Sequence, residues 1–381
     1  MKKHFFLLAC VLLGTGWEHL CAFQTPLKTT GVIYPHILQT ENYTLNTQNV
    51  KTLKLQGKFL WMGTSRGAIR YDTTTPDEYR VFDNQNSLLS NAIFNITFDK
   101  KGAPWIGTYG GGLSHFENNR WVNFNTPHGL CDAFVYDVEF SGDALWIATW
   151  SGVNRVKGNP HSRKSWKSFT TENTGGGLID NWVYAIEIGK DNRVWFGTES
   201  GISMYDGRQW RGWNHTAGLG APYDQVKQDN IGAMPSFKGS HHSNQPDIPN
   251  AKSGDFRPNY VVSMLLDETD RLWIGTWGGG LSLFDTQNHT FRNFTMRDGL
   301  PGNFILALKQ DAFGNLWIGS NKGLSRFDGK TFTNYSKLNG LIGEFAFSIE
   351  FGNDHSLWVG SHGGMSRLYI DPTSQALMKS E

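Results

Sequence analysis

Leu272 to Asp285, LWIGTWGGGLSLFD, alternates in a way that predicts strand, tight turn, strand. Leu272, Ile274 and Thr276 fall on one face of an extended segment, Trp273 and Gly275 on the other. Both faces carry apolar bulk, so the strand is expected to be covered on both sides. Gly275 shares a face with Trp273 and lets a neighbouring layer come close against the ring. Gly278, Gly279 and Gly280 form the turn, because glycine alone takes positive φ freely, and Leu281 to Phe284 return as a second strand.

The pattern recurs as LWMGT at Trp61, PWIGT at Trp105, LWIAT at Trp146, VWFGT at Trp195, LWIGT at Trp317 and LWVGS at Trp358. Spacings of 44, 41, 49, 78, 44 and 41 residues become similar once the long one is read as one unit plus an insert. A period of roughly 40 to 50 residues with four short strands per unit predicts a propeller. Residues 303–336 show the unit: strands at Asn303–Gln310, Leu316–Ser320, Leu324–Asp328 and Thr331–Ser336, joined by Asp- and Gly-containing turns. The outermost strand repeats an aromatic pair, as in Phe291/Phe294 and Phe332/Tyr335, which suits packing between units.

The expected fold is all-β, a seven-bladed β-propeller with four-stranded blades. The blades are placed at about 47–83, 91–125, 133–170, 181–213, 259–295, 303–336 and 345–381. The last unit has no clear aromatic fourth strand, and Glu41-Asn42-Tyr43-Thr44 resembles Thr333-Asn334-Tyr335-Ser336. Residues 31–44 are therefore expected to supply the outer strand of the last blade and close the ring. The long spacing holds an insert at 214–258, rich in Gly, Pro, Ser, Asn and Asp and without a period, read as a long loop.

Composition changes this picture little. A net charge of +1 offers nothing to nucleic acid. Residues 1–22 are different: Lys2 and Lys3 precede an apolar run from Phe5 to Leu13, and Leu20-Cys21-Ala22 suits a cut. This reads as a secretory signal peptide, with a lipoprotein signal at Cys21 as the alternative, and predicts a periplasmic or secreted protein. No transmembrane segment is expected in the mature chain. Cys131 is then its one cysteine, so no internal disulfide can form.

The unit resembles the two-component regulator propeller repeat. Its words here are GL-x-x-N-x-(V/I), D-x-x-G-x-LWIGT and GLSRFDG-x-x-F-x-NY, and Leu300 to Tyr335 matches almost throughout. The likeness covers nearly all of residues 31 to 371. Proteins with these repeats include periplasmic sensor regions of bacterial hybrid histidine kinases, many of which answer to carbohydrates. The resemblance thus implies a propeller and export. A signalling role is less directly implied, since no membrane span, kinase core or response-regulator segment follows the last unit.

In a propeller the turns between second and third strands, and the connections between blades, share the face around the channel mouth. The variable residue at each such turn is Ser65, Tyr109, Trp150, Glu199, Trp277, Asn321 or His362. The starts of the innermost strands add Phe134, Trp182, Tyr260, Phe304 and Phe345. Together they suit an aromatic-walled funnel bordered by the insert, a surface for sugar rings, flat aromatic ligands or a peptide. The aromatics at the strand starts could equally plug the channel mouth, and Glu199 or His362 alone could be a solvated turn residue. No nucleophile elbow, HExxH or phosphate loop is present, and no catalytic residue, metal site or cofactor is expected.

Three function classes remain. The first is an exported, sensor-like module whose partner is a small molecule or carbohydrate ligand, or a periplasmic or membrane signalling protein. The second is an extracytoplasmic protein-interaction scaffold. The third is a lyase resembling the streptogramin lyases, which needs a base and a charge-stabilising group a few ångströms apart.

Overall fold

The computed structural model describes residues 27–29, 37–75, 78–233 and 256–371. The expected signal peptide and the final ten residues lie outside these. The fold is an all-β propeller of antiparallel sheets. Five of these are separate and four-stranded, spanning 93–124, 135–169, 183–213, 257–294 and 305–335. Within the last, the strands are Ile305–Gln310, Leu316–Ser320, Gly323–Phe327 and Phe332–Tyr335, each paired with its sequence neighbour.

The sixth sheet is larger and joins the two ends of the described chain. Its order is Ser348–Phe351, Ser356–Ile370, Ile37–Gln56, Phe59–Thr64, Gly67–Asp72, Tyr79–Phe82. Two long strands bend through it. Ile37 to Thr44 pairs with Gly364 to Ile370, and after a register shift Val50 to Gln56 pairs with Phe59 to Thr64. Tyr43 is buried at this junction, its ring 5.3 Å from Trp358 and 5.8 Å from Tyr71. Leu27–Thr29 adds a short outer strand against Thr40 to Asn42 that the sequence pattern does not suggest.

All the motif tryptophans are buried. Most hydrophobic clusters join neighbouring sheets: Trp195 and Ile202 of one pack with Leu272, Ile274 and Phe284 of the next. The glycine two residues after the tryptophan is what lets the sheets meet. A methyl on Gly275 would reach Ile305 Cγ2 at 2.8 Å, and one on Gly107 would reach Val135 Cγ1 at 2.8 Å. The same contact joins Gly63 to Ile93, Gly197 to Val261, Gly319 to Ala346 and Gly360 to Val50. Gly278 and Gly280 turn the chain at φ +85° and +79°, where side chains are strained.

The insert departs from the expected loop. Asn214 to Gly220 continues the repeat, with a 3-10 turn at His215–Ala217. Helix α1, Tyr223–Asn230, follows. It buries only Val226 and Asn230, so no helical period is visible in its sequence, and tertiary anchoring holds it. Asn230 Nδ2 donates to the Gly278 carbonyl at 2.7 Å, and Asn303 Nδ2 donates to Asn230 Oδ1 at 3.0 Å. Residues 234–255 lie outside the described residues. No helix among the described residues is long and apolar enough to cross a membrane.

Two outcomes test this architecture. A chain starting at Leu45 loses the strand paired with Gly364 to Ile370 and is expected to melt well below the intact protein by calorimetry. An unchanged melting temperature would refute the role of that strand. Gly275→Val should cost about 1–3 kcal/mol in urea unfolding by overpacking the contact with Ile305, and an unchanged midpoint would refute the close approach.

Candidate functional site

The channel is built from the innermost strands. In six of them a valine or isoleucine pairs with the threonine or serine at the end of the tryptophan motif, as in Val135↔Thr149 and Ile305↔Ser320. The register then skips one residue before pairing resumes. The skipped residues are Lys51, Phe94, Tyr136, Tyr184, Val262 and Leu306. A bulge bends the strand and re-aims one side chain. Lys51, Phe94, Tyr136, Tyr184 and Val262, with Phe347, line a cavity of about 230 Å³ along the axis.

The expected aromatic residues meet at one mouth of this channel. Tyr109 stands edge-on to Phe134 at 4.5 Å, Phe134 stacks on Trp150 at 4.4 Å, and Trp150 stacks on Trp182 at 5.7 Å. Tyr136 lies 5.8 Å from Trp150 and 4.8 Å from Tyr184. From Tyr184 the series continues to Tyr260 at 4.6 Å, Trp277 at 5.4 Å and Phe304 at 5.5 Å. Tyr109, Phe134, Trp150, Trp182, Tyr260 and Trp277 thus belong to one continuous arc. Trp150 and Trp277 are half-buried rather than free turn tips, while Phe304 is fully buried and closes the arc's base.

Three of the expected residues have other settings. Glu199 is buried, not solvated: Tyr184 Oη donates to it at 3.3 Å and Arg257 Nη1 at 3.0 Å. It braces the arc from behind. Asn321 is also buried, and its Nδ2 donates to the Ala233 carbonyl at 3.1 Å, tying the insert to the mouth. His362 is exposed in a separate group with Phe345 and Phe347, its Nδ1 2.6 Å from Asn49 Oδ1. Lys51 holds its ammonium 4.0 Å over the Phe347 ring, and burial pulls its pKa below the ordinary lysine value. Cys131 is half-buried and its thiol is pushed up to about 11 by burial, so it is a poor nucleophile.

Tyr136, Tyr184, Phe94, Phe347, Lys51 and Arg257 are absent from the residues expected at the site. For Lys51, Phe94, Tyr136 and Tyr184 the signal was available: the residue after the V/I that opens the inner strand varies where its neighbours repeat. Period-two reading assigns it to the wrong face, because it does not anticipate the bulge.

Below the aromatic layer the channel is ionic. Lys54 lies 3.4 Å from Glu139, and Lys309 lies 2.8 Å from Glu350. Asp137 accepts from Asn95 Nδ2 at 2.6 Å and from the Ile186 N–H at 2.7 Å. Burial, reinforced by Glu139, pushes Asp137 up to about 7, and burial pushes Glu187 up to about 8. Both carboxyls hold their protons more tightly in the folded chain than in the unfolded one. Their contribution is therefore complete below about pH 4 and lost as pH rises through 7 to 8. Stability should fall across that window, and Asp137→Asn with Glu187→Gln should flatten the fall. A melting profile whose slope the double variant does not alter would refute this.

Comparison with known proteins places the architecture. A histidine kinase P4 of Formosa agariphila is 24% identical over 309 residues, covering 75% of this chain and 20% of the kinase. The extracellular domain of the hybrid two component system BT3049 from B. thetaiotaomicron superposes with TM-score 0.66 at 21% identity, over 88% of this chain and 40% of that one. Virginiamycin B lyase from Staphylococcus aureus, solved in an inactive form with quinupristin, superposes with TM-score 0.61 at 12% identity, over 87% and 99%. The chain thus spans about a fifth of the curated relative it matches. Residues 177–200, 255–278 and 299–322 match the two component regulator propeller, and the chain carries repeats of that family.

Proposed function

We propose that this chain is an exported, sensor-like propeller of seven blades that binds a small molecule or glycan at the channel mouth. The stacked arc carries the reading. Phe134, Trp150 and Trp182 lie in near-parallel planes, as do Tyr260 and Trp277, and all five are half-buried. Flat apolar faces at the mouth of a concave site suit sugar rings or planar ligands. Lys51 and His362 offer polar groups across the mouth. The insert is tethered beside Trp277 through Asn230 and Ala233, which suits a lid over the ligand. The seven-blade count is supported by two further observations. Inner strands carrying Lys51, Phe94, Tyr136, Tyr184, Val262, Lys309 and Phe347 surround one cavity, and the larger sheet holds two four-strand ladders. Export is supported by the signal-like residues 1–22 and by likeness to extracellular domains.

The test is a thermal-shift screen of residues 23–381 against mono- and oligosaccharides and planar small molecules, since a ligand of the folded state raises the melting temperature. For any hit, Trp150→Ala and Trp277→Ala should weaken binding about tenfold or more. Each half-buried ring should cost about 1–3 kcal/mol, leaving cooperative unfolding intact. Hits that bind both variants as tightly as the parent would remove the arc from the site.

A further inference from the structure

The axial cavity of about 230 Å³ is lined toward the mouth by Phe94, Tyr136, Tyr184, Val262 and Phe347, and among them stands one charged residue, Lys51. Three lysines face this cavity, and two are paired. Lys54 lies 3.4 Å from Glu139, and Lys309 lies 2.8 Å from Glu350. Lys51 has no carboxylate within ion-pair distance among the described residues, and its ammonium stands 4.0 Å over the Phe347 ring. A ring face attracts a cation without neutralising it.

The surroundings register that unmatched charge. At Lys54 the Glu139 carboxylate outweighs burial and raises the pKa. At Lys51 burial lowers it and no carboxylate pulls it back. The same charge reaches His362, whose ring lies 4.7 Å from Phe347 and whose pKa is lowered first by burial and then by Lys51. The cavity's own carboxylates are engaged elsewhere. Glu350 is held by Lys309, and Asp137 accepts from Asn95 Nδ2 at 2.6 Å and from the Ile186 N–H at 2.7 Å. Phe94 stands on the inner strand next to that of Lys51. Its ring lies 5.7 Å from Tyr109 and 4.7 Å from Tyr136, so apolar faces run from the arc to the lysine.

We propose that the ligand of the channel mouth is an acid, a ring that carries a carboxylate. Its flat face lies on Phe94 and Tyr136, and its carboxylate accepts from the Lys51 ammonium. This rests on the reading of the mouth as the binding site and adds the class of ligand. A charge-assisted bond to a half-buried, otherwise unpaired ammonium selects the acid over its neutral counterpart. Uronic acids and aromatic acids share this chemistry, and the cavity has room for one such ring.

The experiment is calorimetric titration of residues 23–381 with glucuronate against glucose, and with benzoate against benzamide. At least one acid should bind about tenfold or more tighter than its neutral counterpart. Lys51→Met keeps the unbranched stem, and the bulged position takes no ladder bond, so the fold should hold. In that variant the acid should bind no tighter than its neutral counterpart. Raising salt from about 0.02 to 0.5 M should weaken the acid severalfold and leave the neutral ligand unchanged, which decides the matter if Lys51→Met does not fold. Trp150→Ala should weaken acid and neutral ligand alike, because it removes ring contact and no charge. Acid and neutral ligand binding equally, both dependent on Trp150, would keep the arc as the site and overturn the acidic ligand. Absence of binding by both acids, or a preference for the acid that survives in Lys51→Met, would overturn it as well.

Discussion

The width of the channel is set by one repeated contact, a valine, isoleucine or alanine of each inner strand pressed against a glycine in the neighbouring sheet. Gly63, Gly107, Gly197, Gly275, Gly319 and Gly360 all make it, and the last of these meets Val50 in the sheet that joins the two ends. The third tryptophan strand has Ala148 instead, packed in the same cluster as Val183. Because the contact is backbone-close, the inner strands cannot move apart or together without breaking it. The bulge follows immediately after, so the residue that faces the axis is held by the same lock that fixes the sheets.

Two layers of different character result. At the mouth, aromatic rings bear on one another and on the ends of the turns, and Glu199 with Arg257 stiffens the arc from behind. Deeper in, lysines and carboxylates share a narrow space where some charges are paired and burial raises the pKa of Asp137 and Glu187. A planar apolar ligand is favoured at the first layer and opposed at the second. The boundary between them is only the pitch of two or three residues along a strand.

The architecture was readable from the chain because its signals are local and repeated. A tryptophan, a glycine two residues on and an Asp–Gly turn specify strand, close contact and hairpin without reference to the rest of the fold. The pairing of Glu41 to Thr44 with the last strands was readable for the same reason, since the segment repeats the outer-strand words. Trp150 and Trp277, which vary where neighbouring turn positions repeat, and Tyr260, an aromatic at the start of an inner strand, lie together in the arc at the mouth. What was not readable depended on non-local geometry. The bulges shift phase by one residue and hid Tyr136 and Tyr184. The burial of Glu199 depends on Arg257, which is 58 positions away. Helix α1 is held by Val226 and Tyr223 against Phe256 and by two asparagine bonds, so its own sequence carries no period.

A bulged residue takes no part in the ladder on either side of it, and that has a consequence for engineering. Lys51, Phe94, Tyr136, Tyr184, Val262 and Leu306 can each be exchanged without giving up a strand-to-strand backbone bond. The valine or isoleucine before each of them keeps the sheets in place. The scaffold therefore presents a circle of independently replaceable positions around one axis. The tint of the channel, from aromatic to cationic to aliphatic, can be re-coloured one strand at a time while the frame stays the same.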